Sequence, residues 1–447
     1  MSELNAEHYL PEMLEMRRKL HAYPEEGWTE FVTTTRIIQA LRKLGLNPIF
    51  GKDVIDVDSI MGRREEIVEK AWKDAHEVAD IDKDILESLD RYSGAMVEID
   101  TGRPGPCTAL RFDIDCVVNS ETTDPEHEAN ALGYASCRPG LMHSCGHDAH
   151  ASLGLAIAHW IVDHKDELCG RVKLLFQPAE EGVRGATPMA NKGIVDDADY
   201  LVGTHVGGEF ALGEIGVLTH GYLATTKMDI EFEGRSAHAG SDPEKGRSAL
   251  VAAAATVMAL QGISRHSGGD SRVAVGTLHA GEGRNVVAAK ATMQVEVRGV
   301  TTEVNDFMTE EVYRIVRGMS EVYGVKGTIH KMGEASVYEC DPELNEMLLE
   351  AAKTVPEVKS AKFFTTSRGS EDCSMLAKRV REKGGKASFL CWGCNHHGHH
   401  RPDFDIQDKE SMNIAFKVPR FYVSTSKSII KALINMHSFE IQLSPIG

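Results

Sequence analysis

The sequence predicts an α/β protein in which a catalytic sheet domain is interrupted by a smaller α+β insert. Three observations carry this expectation. The strand-like segments AMVEID, TALRFDID, RVKLLFQ and YLVGTHV alternate with helical ones, a long apolar helix over 149–162 lying between the second and third. Between about 227 and 334 the pattern changes to β-α-β-β-α-β, the order of a ferredoxin-like unit. The alternation then resumes with helices near 342–353 and over SMLAKRV, the strand ASFLCWG and a last helix near 424–436. The division expected is 1–224 with 336–447 for the sheet domain and 225–335 for the insert.

In chain order, the first 45 residues read as two helices. Leu10, Met13, Leu14, Arg17 and Leu20 recur at helical spacing, and a second run over 29–44 stops before Gly45. From about 51 to 95 the chain is dense in charge, and Ile67, Trp72, Val78 and Ile85 give only a thin apolar stripe. The expectation there is a solvated helical insertion, with a partner surface as the sharper alternative. Within the insert the elements are KMDIEFEG, the helix SALVAAAATVMALQGI, the strands RVAVGTLHAG and ATMQVEVRG, a helix near 304–323 and the strand GVKGTIHKM. No internal repeat or low-complexity segment interrupts the order.

Bulk composition narrows the function. A chain of 447 residues with 42% hydrophobic content can bury a full core. Its formal charge of -18 opposes phosphate backbones and anionic membranes, so neither nucleic acid nor a membrane is an expected partner. The start MSELNAEHYLPEMLEMRRKL has no signal-peptide pattern, and no apolar run approaches the ~20 residues of a bilayer span, which points to the cytoplasm. Nine scattered cysteines fit reduced thiols better than a disulfide framework.

The chemistry-bearing residues gather where strands end. Asp113 and Asp115 close LRFDID, Glu180 and Glu181 follow LLFQPA, His205 ends YLVGTH, and the cluster NHHGHH follows FLCWGC. Ligands in open α/β sheets sit outside the carboxyl ends of the strands, so separate segments deliver metal-competent groups to one edge. Cys145-Gly-His147 adds a thiolate and an imidazole just before the 149–162 helix, where the helix dipole favours the thiolate. With Glu181, His205 and one histidine of NHHGHH this makes five ligands, too many for one tetrahedral site and suited to two metals sharing a bridge. His150, and less firmly His143, read as packed residues rather than ligands. Glu180 and Glu181, if extended, point opposite ways, leaving one carboxylate to ligate and the other to act as general base on a water. Cys391 and Cys394 form a C-x-x-C that reads as sheet core plus a loop cysteine, a redox pair being the competing reading.

Taken together, LRFDID, MHSCGHDAH, FQPAEEG, GTHVG, GRSAHAG, GRNVV and GSEDCSML, with RRKLHAYPEEGWTE near the start, resemble the dinuclear-metal amidohydrolases that include aminoacylases, hippurate hydrolase and auxin-conjugate hydrolases. The resemblance spans nearly the whole chain in the same order. It implies a doubly wound mixed sheet of zinc-exopeptidase type, with the ferredoxin-like insert serving as a lid and dimerisation domain. It implies two divalent ions, zinc or manganese, on Cys145, His147, Glu181, His205 and, by HRPDFD, His400, with His399 or His397 as fallbacks of register. It places Glu180 as general base, and Asp115 and less surely Asp113 behind a ligand. His238 matches a histidine that reaches the site of a partner subunit, and Asn285 and Arg298 match positions that bind the substrate carboxylate. The implied reaction is hydrolysis of an N-acyl amino acid with a free carboxylate, by a homodimer or a heterodimer with a related sister subunit. A broader aminoacylase or hippurate-type hydrolase or a dipeptidase with the same site, and a non-catalytic metal-binding subunit of a hetero-oligomer, are the alternatives. The segment CVVNSETTDPEHEAN departs from the family pattern and leaves that part of the pocket wall open.

Overall fold

The computed structural model describes residues 6–418, so the helix expected near 424–436 lies outside the described residues. The larger sheet contains β1 (Ile49–Phe50), β2 (Ala95–Asp100), β3 (Cys107–Asp113), β4 (Arg171–Gln177), β5 (Tyr200–Val206) and β6 (Glu214–Gly221). The insert supplies β7 (Ala224–Glu233), β8 (Ser271–Ala280), β9 (Lys290–Gly299) and β10 (Lys326–Ala335). Then β11 (Tyr338–Glu339), β12 (Ser360–Thr366) and β13 (Lys386–Trp392) return to the larger sheet.

That sheet runs β1-β2-β4-β3-β5-β13-β6-β11, with β12 also paired to β6. Its centre, β4-β3-β5-β13, is parallel, while β2 and β6 join antiparallel, giving the doubly wound mixed sheet the sequence implied. Every residue of β3 is buried, Arg111 and Asp113 included, which requires cover on both faces and explains why exposed polar residues do not alternate along it. Helices His147–Asp163, on β3 to β5, and Cys373–Glu382, on β5 and β13, supply much of it. Glycine makes one close approach possible: a Cβ on Gly154 would stand 2.7 Å from Phe112 and 2.8 Å from Phe176, so the helix lies directly on the β3 and β4 rings.

The insert forms its own antiparallel sheet in the order β10-β7-β9-β8, the arrangement of a ferredoxin-like unit. Its helices Ala249–Gln261 and Thr302–Tyr323 cover one face, and Met228, Ile230, Phe232, Met293, Val295 and Val297 make a core separate from the main one. The alternate residues of β7 and β9, including Lys227, Asp229, Gln294, Glu296 and Arg298, occupy the opposite, open face.

Two sequence expectations are corrected, and two strands lay outside any expectation. The charged insertion is not a solvated excursion: Val68, Ala71, Trp72, Ala75, Ile85 and Leu86 join the main core, Trp72 standing edge-on to Phe31 at 5.1 Å. Its charges cover the outer side only, because one narrow stripe suffices to seat a short helix. Strands β6 and β12 carried no clear signal, β12 being largely exposed and without alternation. The Glu180-Glu181 doublet lies on a turn after Pro178, with Ala179 and Val183 at φ of 52° and 58°, so it is not extended. Among the described residues no helix is long and apolar enough to cross a membrane, and all nine cysteines are free.

Candidate metal centre and substrate cavity

The carboxyl ends of β3, β4 and β5 open on one site. Gly146, at φ 87°, caps the helix that begins with His147, so Cys145 and His147 sit at its first turn. His205 is the penultimate residue of β5, and its Nδ1 lies 2.7 Å from the Val206 carbonyl oxygen, leaving Nε2 bare and 3.5 Å from Cys145 Sγ. Donor atoms of Cys145, His147 and His205 lie within 4.8 Å of one another, as do those of Cys145, Glu181 and His400, and those of His147, Glu180 and Glu181. Cys145 is common to the first two trios, so its thiolate could serve an ion held by either. The buried His147 Nε2 has no hydrogen-bond partner among the described residues, as a nitrogen that would serve a metal requires. Soft thiolate, imidazoles and carboxylates in this number suit two borderline divalent ions.

Carboxylates behind the donors fix them. Asp115 Oδ1 stands 3.2 Å from His147 Nδ1 and accepts the Glu180 amide at 3.1 Å, while Oδ2 accepts the Glu181 amide at 2.9 Å. One buried side chain therefore sets both the histidine tautomer and the turn that carries the two glutamates. Those glutamates converge on His147 instead of pointing opposite ways, because both amides are drawn to the same carboxylate. Asp113 hydrogen-bonds His150 Nδ1 and pairs with the buried Arg111, which reaches Asp372 at 3.0 Å. His150 Nε2 accepts the Val206 amide at 2.9 Å, so His150 is a packed support residue, and His143 is buried with neither nitrogen hydrogen-bonded to any described residue.

NHHGHH resolves into separate parts. His400, at φ 61°, has its amide bound to the Ser144 carbonyl at 2.8 Å and its Nε2 3.2 Å from Glu181 Oε1. His399 Nε2 accepts the Gly208 amide at 3.1 Å, so in the neutral ring Nδ1 carries the proton and offers Cys145 Sγ, 3.7 Å away, an N–H and no lone pair. His397 is exposed and 3.0 Å from Asp403. The departing segment after Asp115 buttresses this loop, Asn119 donating to the His400 carbonyl at 3.1 Å and the Thr122 amide to that of Pro402 at 2.9 Å. None of it lines the cavity.

The field of the site separates the two glutamates. Burial, then the carboxylates of Glu371, Asp372 and Glu181, pushes the Glu180 pKa well above the usual carboxylate range. Burial also acts on Glu181, but the His400 hydrogen bond together with the charges of His147 and His400 outweighs it and holds that carboxyl low. Burial pushes the Cys145 thiol up, with Glu181 adding to it, so the helix N-terminus does not by itself secure the thiolate. A cation held there would secure it, since a metal-bound thiol is deprotonated outright.

Beside these groups opens a cavity of about 490 Å³. Cys145, Glu180, Glu181, His205, His399 and His400 form its floor, Phe210, Tyr222 and Phe364 give it an aromatic side, and Lys227 and Arg298 enter from the open face of the insert. Val183, Tyr222 and His400 line it at positive φ, a concentration of backbone strain found where geometry serves function. Among the substrate-binding positions expected, Arg298 is here; Asn285 and His238 are not. Those two lie together on the exposed far end of the insert, the Ala239 amide donating to the Asn285 carbonyl at 2.9 Å and His238 bridging to Val286. Lys227, Tyr222, Phe210, Phe364 and Glu371 were not anticipated as site residues. GSEDCSML was the one signal for Glu371; Lys227 is legible only once the insert is docked, and Phe210, Tyr222 and Phe364 only once the larger sheet is assembled. Cys391, read as core, is buried yet touches the cavity wall.

Comparison with known proteins agrees with this geometry. The model of peptidase family M20/M25/M40 matches residues 109–418. A Haemophilus influenzae homolog of one subunit of p-aminobenzoyl-glutamate hydrolase is 42% identical over 403 residues, 90% of this chain and 95% of the relative. Indole-3-acetyl-aspartic acid hydrolase of Enterobacter agglomerans is 41% identical over 409 residues, covering 91% and 94%. The crystal structure of an aminobenzoyl-glutamate utilization protein from Klebsiella pneumoniae superposes with a TM-score of 0.81 at 34% identity, covering 94% and 98%. The chain thus belongs to peptidase family M20/M25/M40 and is a metal-dependent hydrolase of the amide bond.

Proposed function

We propose that this protein cleaves the amide between an aromatic acyl group and an acidic amino acid, and that p-aminobenzoyl-glutamate, split to p-aminobenzoate and glutamate, is its substrate. The observation that carries the reading is Glu180: a buried carboxyl with a raised pKa that stands outside both Cys145 trios yet faces the same cavity. The two curated relatives support the substrate class, since their names pair an aromatic acyl group with glutamate or aspartate. Such cleavage would break down a folate catabolite.

In this reading Cys145, His147 and His205 hold one divalent ion, and Cys145, Glu181 and His400 hold a second, zinc or manganese. Bound there, the ions supply a polarised carbonyl and an acidified water. Glu180 takes the proton from the attacking water and returns it to the leaving nitrogen, a task that suits a carboxyl tuned towards neutrality. Asp115 holds the Glu180 turn and the His147 ring in register during that transfer. Arg298 binds the substrate carboxylate through its planar fork.

His238 and Asn285, exposed together and away from the chain's own cavity, are suited to complete the site of a second subunit, where His238 would steady the developing oxyanion. A homodimer or a heterodimer with a sister subunit meets this need, and the word subunit in the relatives' names favours asking which. The insert would then act as lid and dimerisation domain. Free cysteines throughout fit a cytoplasmic setting.

The test is glutamate release from p-aminobenzoyl-glutamate by the purified, metal-loaded chain, beside indole-3-acetyl-aspartate, hippurate and simple dipeptides. Preference for the first supports the proposal and shows a sister subunit to be dispensable. Equal rates on hippurate or dipeptides would replace it with a broad aminoacylase or dipeptidase. No turnover on any, with metals bound, would make this a non-catalytic subunit.

A further inference from the structure

The open face of the insert sheet is graded in charge. Along β7 the residues on it run Thr225, Lys227, Asp229, Glu231 and Glu233, buried at the catalytic end and exposed at the other. On β9, Glu296 faces Lys227 and Arg298 faces Thr225. Lys227 and Arg298 are therefore diagonal neighbours, about 7–8 Å apart by ladder geometry, and both line the metal-side cavity.

The two cations are not equivalent. Arg298 Nη2 stands 3.0 Å from Glu296 Oε1, which also accepts from Thr225 Oγ1 at 3.3 Å. That carboxylate is already engaged, and half-buried Lys227 makes no hydrogen bond or ion pair with any described residue. Lys227 stands where the cavity meets a second groove of about 420 Å³, the two sharing Glu181, Gly182 and Lys227, and it acts electrostatically on His400. A third cation, Arg368, is 85% exposed and spent on Glu209 at 2.8 Å, so it is a weak anchor. In a chain of charge -18, an unpaired ammonium held partly out of water and aimed at a cavity selects an anion.

We propose that Lys227 is the specificity-determining residue that reads the side-chain carboxylate of an acidic leaving amino acid, while Arg298 takes the α-carboxylate. The inference rests on the amide-hydrolase reading of this site and adds to it the residue that separates glutamate from its neutral analogues. Diagonal neighbours with long, jointed side chains can bring their charged ends to the two carboxylates of a dicarboxylate with a short aliphatic spacer. The ammonium suits a carboxylate on a flexible side chain, since it needs no fixed plane. An uncharged isostere in that place leaves the half-buried ammonium without a partner, which is the basis of rejection.

The experiment uses the metal-loaded full chain and Lys227→Met, with Lys227→Arg as the charge-keeping variant, on p-aminobenzoyl-glutamate and p-aminobenzoyl-glutamine. In the unaltered protein kcat/KM is expected to favour the glutamate compound by about tenfold to hundredfold, the range of one charge-assisted hydrogen bond. The ratio is expected to fall towards one in Lys227→Met, through KM more than kcat, and to recover in part in Lys227→Arg. A ratio unchanged in Lys227→Met, or equal losses on both compounds, would overturn the assignment. Calorimetric binding of free glutamate and glutamine to the same three proteins gives a readout independent of turnover. If no compound is hydrolysed, the amide reading fails, and the binding preference of the unaltered protein over Lys227→Met still decides the role of Lys227.

Discussion

Asp115 Oδ1 lies 3.2 Å from His147 Nδ1 and 3.1 Å from the Glu180 amide nitrogen, so a single carboxylate oxygen couples the tautomer of a proposed ligand to the placement of the proposed base. Replacing Asp115 with Asn puts a donor amide where an acceptor is needed. Metal affinity is expected to fall about 10–100-fold, the usual effect of losing such a partner. Competition with a chromophoric chelator measures this, and affinity within twofold of the unaltered protein would show that Asp115 does not orient the ring.

Cys145 belongs to two donor trios, one with His147 and His205 and one with Glu181 and His400. Cys145→Ala is therefore expected to lose both ions and His205→Ala one. Metal-to-protein ratios after gel filtration check the difference. Equal losses from the two variants would remove the bridge.

Glu180 lies outside both Cys145 trios, so Glu180→Gln is expected to keep its metal content while kcat falls about 10²–10⁴-fold, the size of a lost general base. The variant keeps the shape of the side chain and removes the titrating group. Residual activity within a few-fold of the unaltered protein would move the base elsewhere, with Glu371 the next candidate in the cavity.

His21 is fully buried, 2.8 Å from Asp148 and 2.9 Å from Glu121. Burial opposes its charge, but the hydrogen bonds to both carboxylates prevail and raise its pKa from 6.5 to about 9. A pKa raised on folding gives stability that is complete below about 6.5 and is lost as pH rises through about 9. The shift corresponds to about 3 kcal/mol. Thermal melts from pH 6 to 10 should show a decline in Tm that is shallower in His21→Gln; parallel curves for the two proteins would assign the decline to other groups.

Extracting the ions with a chelator is expected to lower Tm as well as abolish turnover, since ligands that bind only the folded state stabilise it by mass action. Re-addition of zinc and of manganese, each followed by a melt and an assay, separates the ion that binds best from the one that supports activity best.

Much of this site was readable residue by residue. The sequence placed Cys145, His147, Glu181 and His205 at strand and helix ends, and the structure brings their donor atoms together because parallel strands deliver their carboxyl ends to one edge. Arg17 was readable only as a member of a helical apolar pattern. It is in fact a buried cation, bound to Asp148, Asp405 and Asp408 at 3.1, 2.8 and 3.3 Å, which ties the first helix to the turn of His147 and to the loop of His400. Periodicity reports that a position faces inward and says nothing of the partners that permit a charge there.

The local pattern by itself determined the order of helices and strands, the ferredoxin-like insert and the metal-competent motifs, since each depends on neighbours within a few residues. Tertiary structure alone decided that His399 turns an N–H to Cys145, that Glu180 and Glu181 converge, that the charged insertion seats Trp72 in the core, and that Lys227 of the insert reaches the cavity of the other sheet. Those outcomes depend on contacts between segments up to hundreds of residues apart, and on which groups lose their water when the segments meet, and no local spacing encodes either.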